Sequence, residues 1–268
     1  MANMDNLEIK VMETDAHKHE NPPLMEGINL KHPFSVSVFG NTGSGKTVLT
    51  LNLLTNKHMF GEYFDEVHLF GLTARSDSSW EVLKLPDKFI HDKPHSLISD
   101  LRALLNERKA DVKRVGVHKS KKVCIVFEDA TANRKLLNSA EYIESYVQNR
   151  HYGISVIACC HKYHAQTRVC RLNSNHIMLF PATPSEINRL CSELQPSFLS
   201  KKEFIDAIRH CFEPDEECSH PFMWLNFKSP ERERIRKTLK HGLQFAGKQH
   251  GQEDEGYDSA SEEDFYHE

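Results

Sequence analysis

The feature that most constrains this chain is an apolar run at residues 34–39 that leads directly into GxxxxGKT at residues 40–47, with an amphipathic stretch after it. A strand, a glycine-rich loop and a helix in that order form a phosphate cradle, because Gly40, Gly43 and Gly45 let the backbone wrap closely around an anion. Successive backbone N–H groups from Gly40, Asn41, Thr42, Gly43, Ser44 and Gly45 through Lys46 and Thr47 point at it, aided by the helix N-terminus. In such a loop Lys46 reaches the β- and γ-phosphates of a nucleoside triphosphate and the Thr47 hydroxyl ligates Mg²⁺. A strand of this kind sits inside a parallel sheet, so the loop also sets the fold class as α/β.

The rest of the chain agrees. Short, often β-branched apolar runs at 34–39, 66–70, 123–127, 154–160, 176–180 and 222–227 alternate with amphipathic stretches at 46–56, 95–109, 140–150, 185–193 and 201–212. This is the pattern of buried parallel strands and covering helices. The longest apolar runs fall well short of the 18 or more residues that cross a bilayer, so no membrane span is expected. Without an apolar h-region near the start, the chain reads as one that is not secreted. Seven cysteines without a CxxC pair predict free thiols. Cys211, Cys218 and His220 lack the spacing of a zinc site, and none is expected there.

Chemistry beyond binding comes from the run at 123–127, which ends in Glu128 and Asp129. In an open parallel sheet such strand ends face the ligand crevice. Glu128 is assigned to the Mg²⁺ shell and Asp129 to orienting and deprotonating the attacking water, the division of labour of a hydrolase. If the run at 154–160 lies beside the acidic strand, His161 emerges at the same crevice and can sense the γ-phosphate or position the water, or else simply caps the next turn. Arg150 then lies at the far end of that strand, about 20 Å away, too distant for its own nucleotide; it is either an arginine finger for a neighbouring subunit, if the protein forms a ring, or a helix-end arginine favoured by the macrodipole. No NKxD motif is present, which disfavours a GTPase switch.

Charge divides the chain. Residues 252–268 hold eight acids and no Lys or Arg, and around Ser259 and Ser261 they have the acidic context of a phosphorylated tail. Expected boundaries are a flexible N-terminal arm at 1–28, the P-loop domain at 29–245 and a disordered acidic tail at 246–268. Two basic stretches, seven residues within 108–122 and another from Lys228 to Lys240, are candidates for nonspecific contact with DNA phosphates, or else are solvated charged faces.

Taken together, KHPFSVSVFGNTGSGKT, VCIVFED, the segment NRHYGISVI from Asn149 and the pair Arg171/Asn173 resemble, in order, the viral genome-packaging ATPases of the FtsK/HerA superfamily. That group includes the poxvirus-type packaging ATPase and its relatives in large DNA viruses and Polinton-like elements. The resemblance spans about residues 31–180. It departs from the family at Glu128, where Asp is usual, and at His161, where Gln is common; Arg150 matches the family's finger position. It implies a RecA/FtsK-like ASCE three-layer sandwich with a mainly parallel central sheet. It also implies a homo-oligomeric ring that couples ATP hydrolysis to translocation of double-stranded DNA into a capsid, with capsid proteins as partners. Such a motor works at assembly sites in the nucleus or cytoplasm of a host cell and is also placed in the virion. Two rival readings share the loop: a nucleotide or nucleoside kinase, which needs an acceptor pocket and lid arginines not identifiable here, and a nucleotide-switched interaction protein acting through its tail.

Overall fold

The computed structural model describes residues 21, 22, 24, 28–214, 216, 218–239 and 241–243. The arm and tail boundaries fall almost wholly outside these residues. Among the described residues there are nine strands, in chain order β1 (Ser35–Phe39), β2 (Glu66–Phe70), β3 (Ile90–His91), β4 (Val123–Phe127), β5 (Ile154–Cys160), β6 (His176–Leu179), β7 (Met223–Asn226), β8 (Ile235–Lys237) and β9 (His241–Gly242). They form one sheet in the order β3-β2-β4-β5-β1-β6-β7-β8-β9. The first six run parallel and β7 to β9 are antiparallel additions at one edge. The P-loop strand β1 and the acidic strand β4 are therefore not neighbours. β5 lies between them, which is the ASCE arrangement implied by the resemblance.

Among the described residues the α-helices are α1 (Lys46–Thr55), α2 (Leu97–Val115), α3 (Arg134–Leu137), α4 (Ala140–Val147), α5 (Asn149–Tyr152), α6 (Arg168–Asn173), α7 (Pro184–Leu194) and α8 (Lys201–Phe212). The central strands are buried along their whole length, and their alternation assigns side chains to two cores. Val36, Val38, Cys124, Val126, Ile157 and Met178 pack with Leu49, Leu53 and Leu54 of α1 on one face. Phe39, Ile125, Phe127, Val156, Ala158 and Ile177 pack on the other face with Leu101, Tyr142, Leu190 and Phe204 from α2, α4, α7 and α8. Helices on both sides of a mostly parallel sheet make the three-layer sandwich. Buried hydroxyls on β1 are satisfied: Ser35 Oγ donates to Asn173 O at 2.7 Å, and Ser37 Oγ lies 2.7 Å from Ser174 Oγ and 3.2 Å from Tyr146 OH.

Three departures from the sequence expectation have physical causes. The stretch read as one helix over 140–150 breaks at Gln148 (φ −104°, ψ 5°) into α4 and α5, and α5 stops at Gly153, which adopts φ 60°. The helix expected over 95–109 continues to Val115, so its basic run forms the last turns, where cations complement the helix dipole, before Gly116 at φ 81° ends it. β3, β8 and β9 are two or three residues each and too short to announce themselves by alternation.

That extended helix also changes the first basic stretch. Arg108 is only 2% exposed and donates to Ser120 Oγ, Lys121 O and Tyr152 O while pairing with Asp111. Lys109 pairs with Glu144 at 2.7 Å, Lys121 with Glu66 at 2.6 Å, Arg114 with Asp111, and Lys122 sits over the Tyr63 ring. Arg108 and Lys109 tie α2 to α4, α5 and the segment entering β4, while Lys113, Arg114 and Lys119 stay exposed.

Candidate active site

β1 delivers the chain into the phosphate loop at the carboxyl ends of the parallel strands. Gly40 is required by packing: a Cβ there would lie 2.5 Å from Ser44 Oγ and 2.7 Å from Phe180 Cβ. Gly45, at φ 103°, caps α1 in a conformation that side chains rarely adopt, and it leaves the first-turn N–H groups without a competing side-chain acceptor. Lys46 Nζ donates to Gly40 O at 2.7 Å and Asn41 O at 2.8 Å, which uses two of its three donors on the loop's own carbonyls. Burial pulls its ammonium below the usual lysine value, against the opposing pull of Cys159, Asp129, Cys160 and Glu128. A partly desolvated cation with a spare donor, beside a buried and unpartnered Ser44 hydroxyl, fits an anion of high charge.

Register carries the acids to the same place. β2, β4 and β5 pair in parallel, so Phe127 aligns with Ala158 and Phe70, and Glu128 N donates to Phe70 O at 2.8 Å. Glu128 follows the parity of Cys124 and Val126 and so faces the α1 side of the sheet. Burial pushes its carboxyl up from the ordinary range, with the Thr73 hydroxyl 3.4 Å from Oε2 and the Trp80 indole, whose N–H falls short of hydrogen-bonding geometry, acting in opposition. Gly71 makes room for it, since a Cβ at that position would come within 3.0 Å of Glu128 O.

Asp129 turns the chain at φ 39°, ψ 49°, a left-handed conformation that Asp tolerates better than most residues. Thr131 Oγ1 donates to its Oδ1 at 2.8 Å, and His161 Nε2 lies 3.0 Å from the same oxygen. His161 therefore meets the acidic strand at the crevice, in direct contact with Asp129. Its segment is pinned from α7, where Glu186 Oε1 accepts from Tyr163 N and Glu193 Oε2 accepts from Tyr163 OH.

Arg150 lies exposed on α5, before β5, while His161 follows the end of that strand. It is remote from the loop, as the strand length requires, and it raises the local potential enough to help pull down the pKa of Lys228, for which burial is the larger cause. Arg171 is committed elsewhere: its guanidinium pairs with Glu193 at 2.6 and 3.1 Å, donates to Gln166 O and covers the Tyr163 ring. It is therefore a structural clamp between α6 and α7. Arg171→Ala is expected to cost about 3 kcal/mol in chemical denaturation, because it strands Glu193, and Arg171→Lys recovers only part of this for want of a bidentate fork. The thiol of Cys211 is buried beside Arg236 O, whereas His220 lies against the phosphate loop. Thr73, Trp80, Gly71 and Thr131 escape a sequence reading because they follow no motif, although glycine directly after an apolar strand is a signal of close approach.

A family model described as Poxvirus A32 protein matches residues 26–213. No curated protein matches the chain. Among solved structures, B204, the DNA-packaging ATPase from Sulfolobus turreted icosahedral virus, superposes with a TM-score of 0.52 at 15% identity, covering 80% of this chain and 99% of that one. The genome-packaging NTPase B204 from Sulfolobus turreted icosahedral virus 2 in complex with AMP gives 0.53 at 13% identity, covering 81% and 100%. The same protein in complex with AMPPCP gives 0.52 at 13% identity, covering 80% and 98%. At these identities the likeness is one of fold.

Proposed function

Because the chain belongs to the Poxvirus A32 protein family, we propose that it is an ATP-hydrolysing motor that translocates double-stranded DNA, packaging a viral genome into a capsid. The observation that carries the reading is the convergence of the P-loop, Glu128 and the Asp129–His161 pair at the carboxyl ends of β1, β4 and β5, with β5 interposed. Lys46 holds the β- and γ-phosphates after releasing the carbonyls of Gly40 and Asn41. Thr47 and Glu128 are the residues that would hold Mg²⁺, which when bound would supply charge neutralisation at the phosphates. Asp129 Oδ1 is kept in place by Thr131 and His161, so the carboxylate faces the water it deprotonates, and His161 fixes that carboxylate against the γ-phosphate.

Assembly as a homo-oligomeric ring completes the site. Two groups of exposed apolar side chains support this. Val48, Leu72 and Val82 surround the nucleotide end: Val48 follows Thr47, Leu72 follows Gly71, and Val82 belongs to the short helical segment Ser78–Leu83 packed on α1. Val147, Val169 and Leu172 lie on the adjoining helices α4 and α6, beside exposed Arg150 and Arg168. Glu81 adds an exposed acid and Asp77 a half-buried one to the first group. An acidic, apolar face and a basic, apolar face on one chain make a heterologous interface that closes into a ring. In it, Arg150 of one subunit serves the nucleotide of the next.

The reading places the motor at assembly sites inside an infected cell. Of the second basic stretch, exposed Lys228 and Arg232 and half-buried Arg234 are its candidate DNA contacts, whereas Arg236 covers the Trp224 ring, Lys237 is buried and Lys240 lies outside the described residues; capsid protein is a further partner. No helix among the described residues is long and apolar enough to cross a membrane. The test is ATP hydrolysis with and without duplex DNA. Stimulation by duplexes of unrelated sequence, declining as salt rises, is expected from phosphate contacts. An ATPase rate indifferent to DNA overturns translocation while leaving hydrolysis intact.

A further inference from the structure

The sheet order gives the bound nucleotide a direction. β1 carries the phosphate loop, and Glu128, Asp129 and His161 all lie on its β4–β5 side. A triphosphate seated with its γ end among them extends its nucleoside the other way, over β6 and β7. On that side the chain entering β7 brings His220 against the loop. A Cβ placed on Gly45 would lie 3.4 Å from His220 Cβ and 3.6 Å from its Cδ2, with Phe180 Cε1 also at 3.4 Å. The imidazole is exposed, and Ser219 Oγ holds it by one edge, 3.0 Å from Nδ1.

An exposed flat ring fixed at the N-cap of the phosphate-binding helix, on the side away from the acids, has the chemistry of a base platform. From this geometry we propose that His220 is a nucleoside contact of the ATP site, its ring stacking on the adenine while Gly45 keeps the approach open. The proposal rests on the ATPase reading and adds to it the residue that reads the purine end. Ring-on-base stacking is tolerant of the aromatic used, because every base presents a π-face.

The experiment measures the binding of ATP, ADP, AMP and inorganic tripolyphosphate to the full-length wild type, His220→Ala and His220→Phe. Stacking predicts that His220→Ala weakens ATP, ADP and AMP alike, by about tenfold, and leaves tripolyphosphate unchanged. His220→Phe then binds all four ligands within about twofold of the wild type. Unchanged nucleotide affinity in His220→Ala overturns the proposal. So does a loss shared by tripolyphosphate, which makes His220 a phosphate ligand, and so does equal loss in both variants, which traces the effect to the folding of the loop. Absence of nucleotide binding by the wild type overturns the ATPase reading itself and this proposal with it.

Discussion

Lys46→Ala reduces ATP hydrolysis by at least about 10³-fold and weakens ATP binding, whereas Asp129→Asn binds ATP normally and loses about 10² to 10⁴ of its turnover. The two substitutions separate because the side chains sit differently. Lys46 is the partly desolvated cation of the loop, aimed at Gly40 O and Asn41 O, and with it goes the main side-chain charge facing the β- and γ-phosphates. Asn at 129 keeps what the fold asks of Asp129. It tolerates the left-handed backbone at φ 39°, and its Oδ1 still accepts from Thr131 and from a protonated His161 nitrogen. It cannot take a proton from water. Binding by equilibrium titration and hydrolysis by phosphate release report the two losses independently. Near-normal turnover in Asp129→Asn, with loss in Glu128→Gln, reverses the assignment of base and metal ligand.

The parts of this site that were legible in the sequence are those written in contiguous residues. The loop, the acidic strand and the strand at 154–160 follow from local pattern because fully buried parallel strands are short apolar runs bounded by polar residues. The strands Glu66–Phe70, Val123–Phe127 and Ile154–Cys160 begin and end where those runs do. The Asp129–His161 contact needed one further step, that β5 lies beside β4, which the register supplies. What local pattern cannot carry is partnership across the chain. Within the seven basic residues of 108–122, Lys109 and Lys121 read as open charges until Glu144 and Glu66 arrive from α4 and β2 to pair with them. Arg171, marked by the family resemblance, turns out to be held by Glu193, 22 residues on. His220 meets Gly45 across most of the domain, and a histidine in a loop gives no sign of such a contact in sequence.

The second large effect concerns Arg150, and it follows from geometry that a single subunit cannot satisfy. Arg150 precedes β5 and His161 follows it, so one strand of about 20 Å separates the guanidinium from the γ-phosphate end of its own site. An arginine finger supplied in trans is worth about 10³ to 10⁵ in kcat, and Arg150→Ala is expected to lose activity on that scale while binding ATP normally. Mixing distinguishes a finger from a structural arginine. An Arg150→Ala subunit has an intact phosphate loop, and a Lys46→Ala subunit has an intact arginine, so a ring containing both forms some junctions in which a competent loop meets a competent arginine. Hydrolysis therefore recovers on mixing two inactive variants, rising with the fraction of such junctions. If mixed rings form, as verified by co-purification of differently tagged subunits, and no activity returns, Arg150 does not act in trans. The role then passes to Arg168, exposed on α6 beside Val169 and Leu172, because Arg171 is already bound to Glu193.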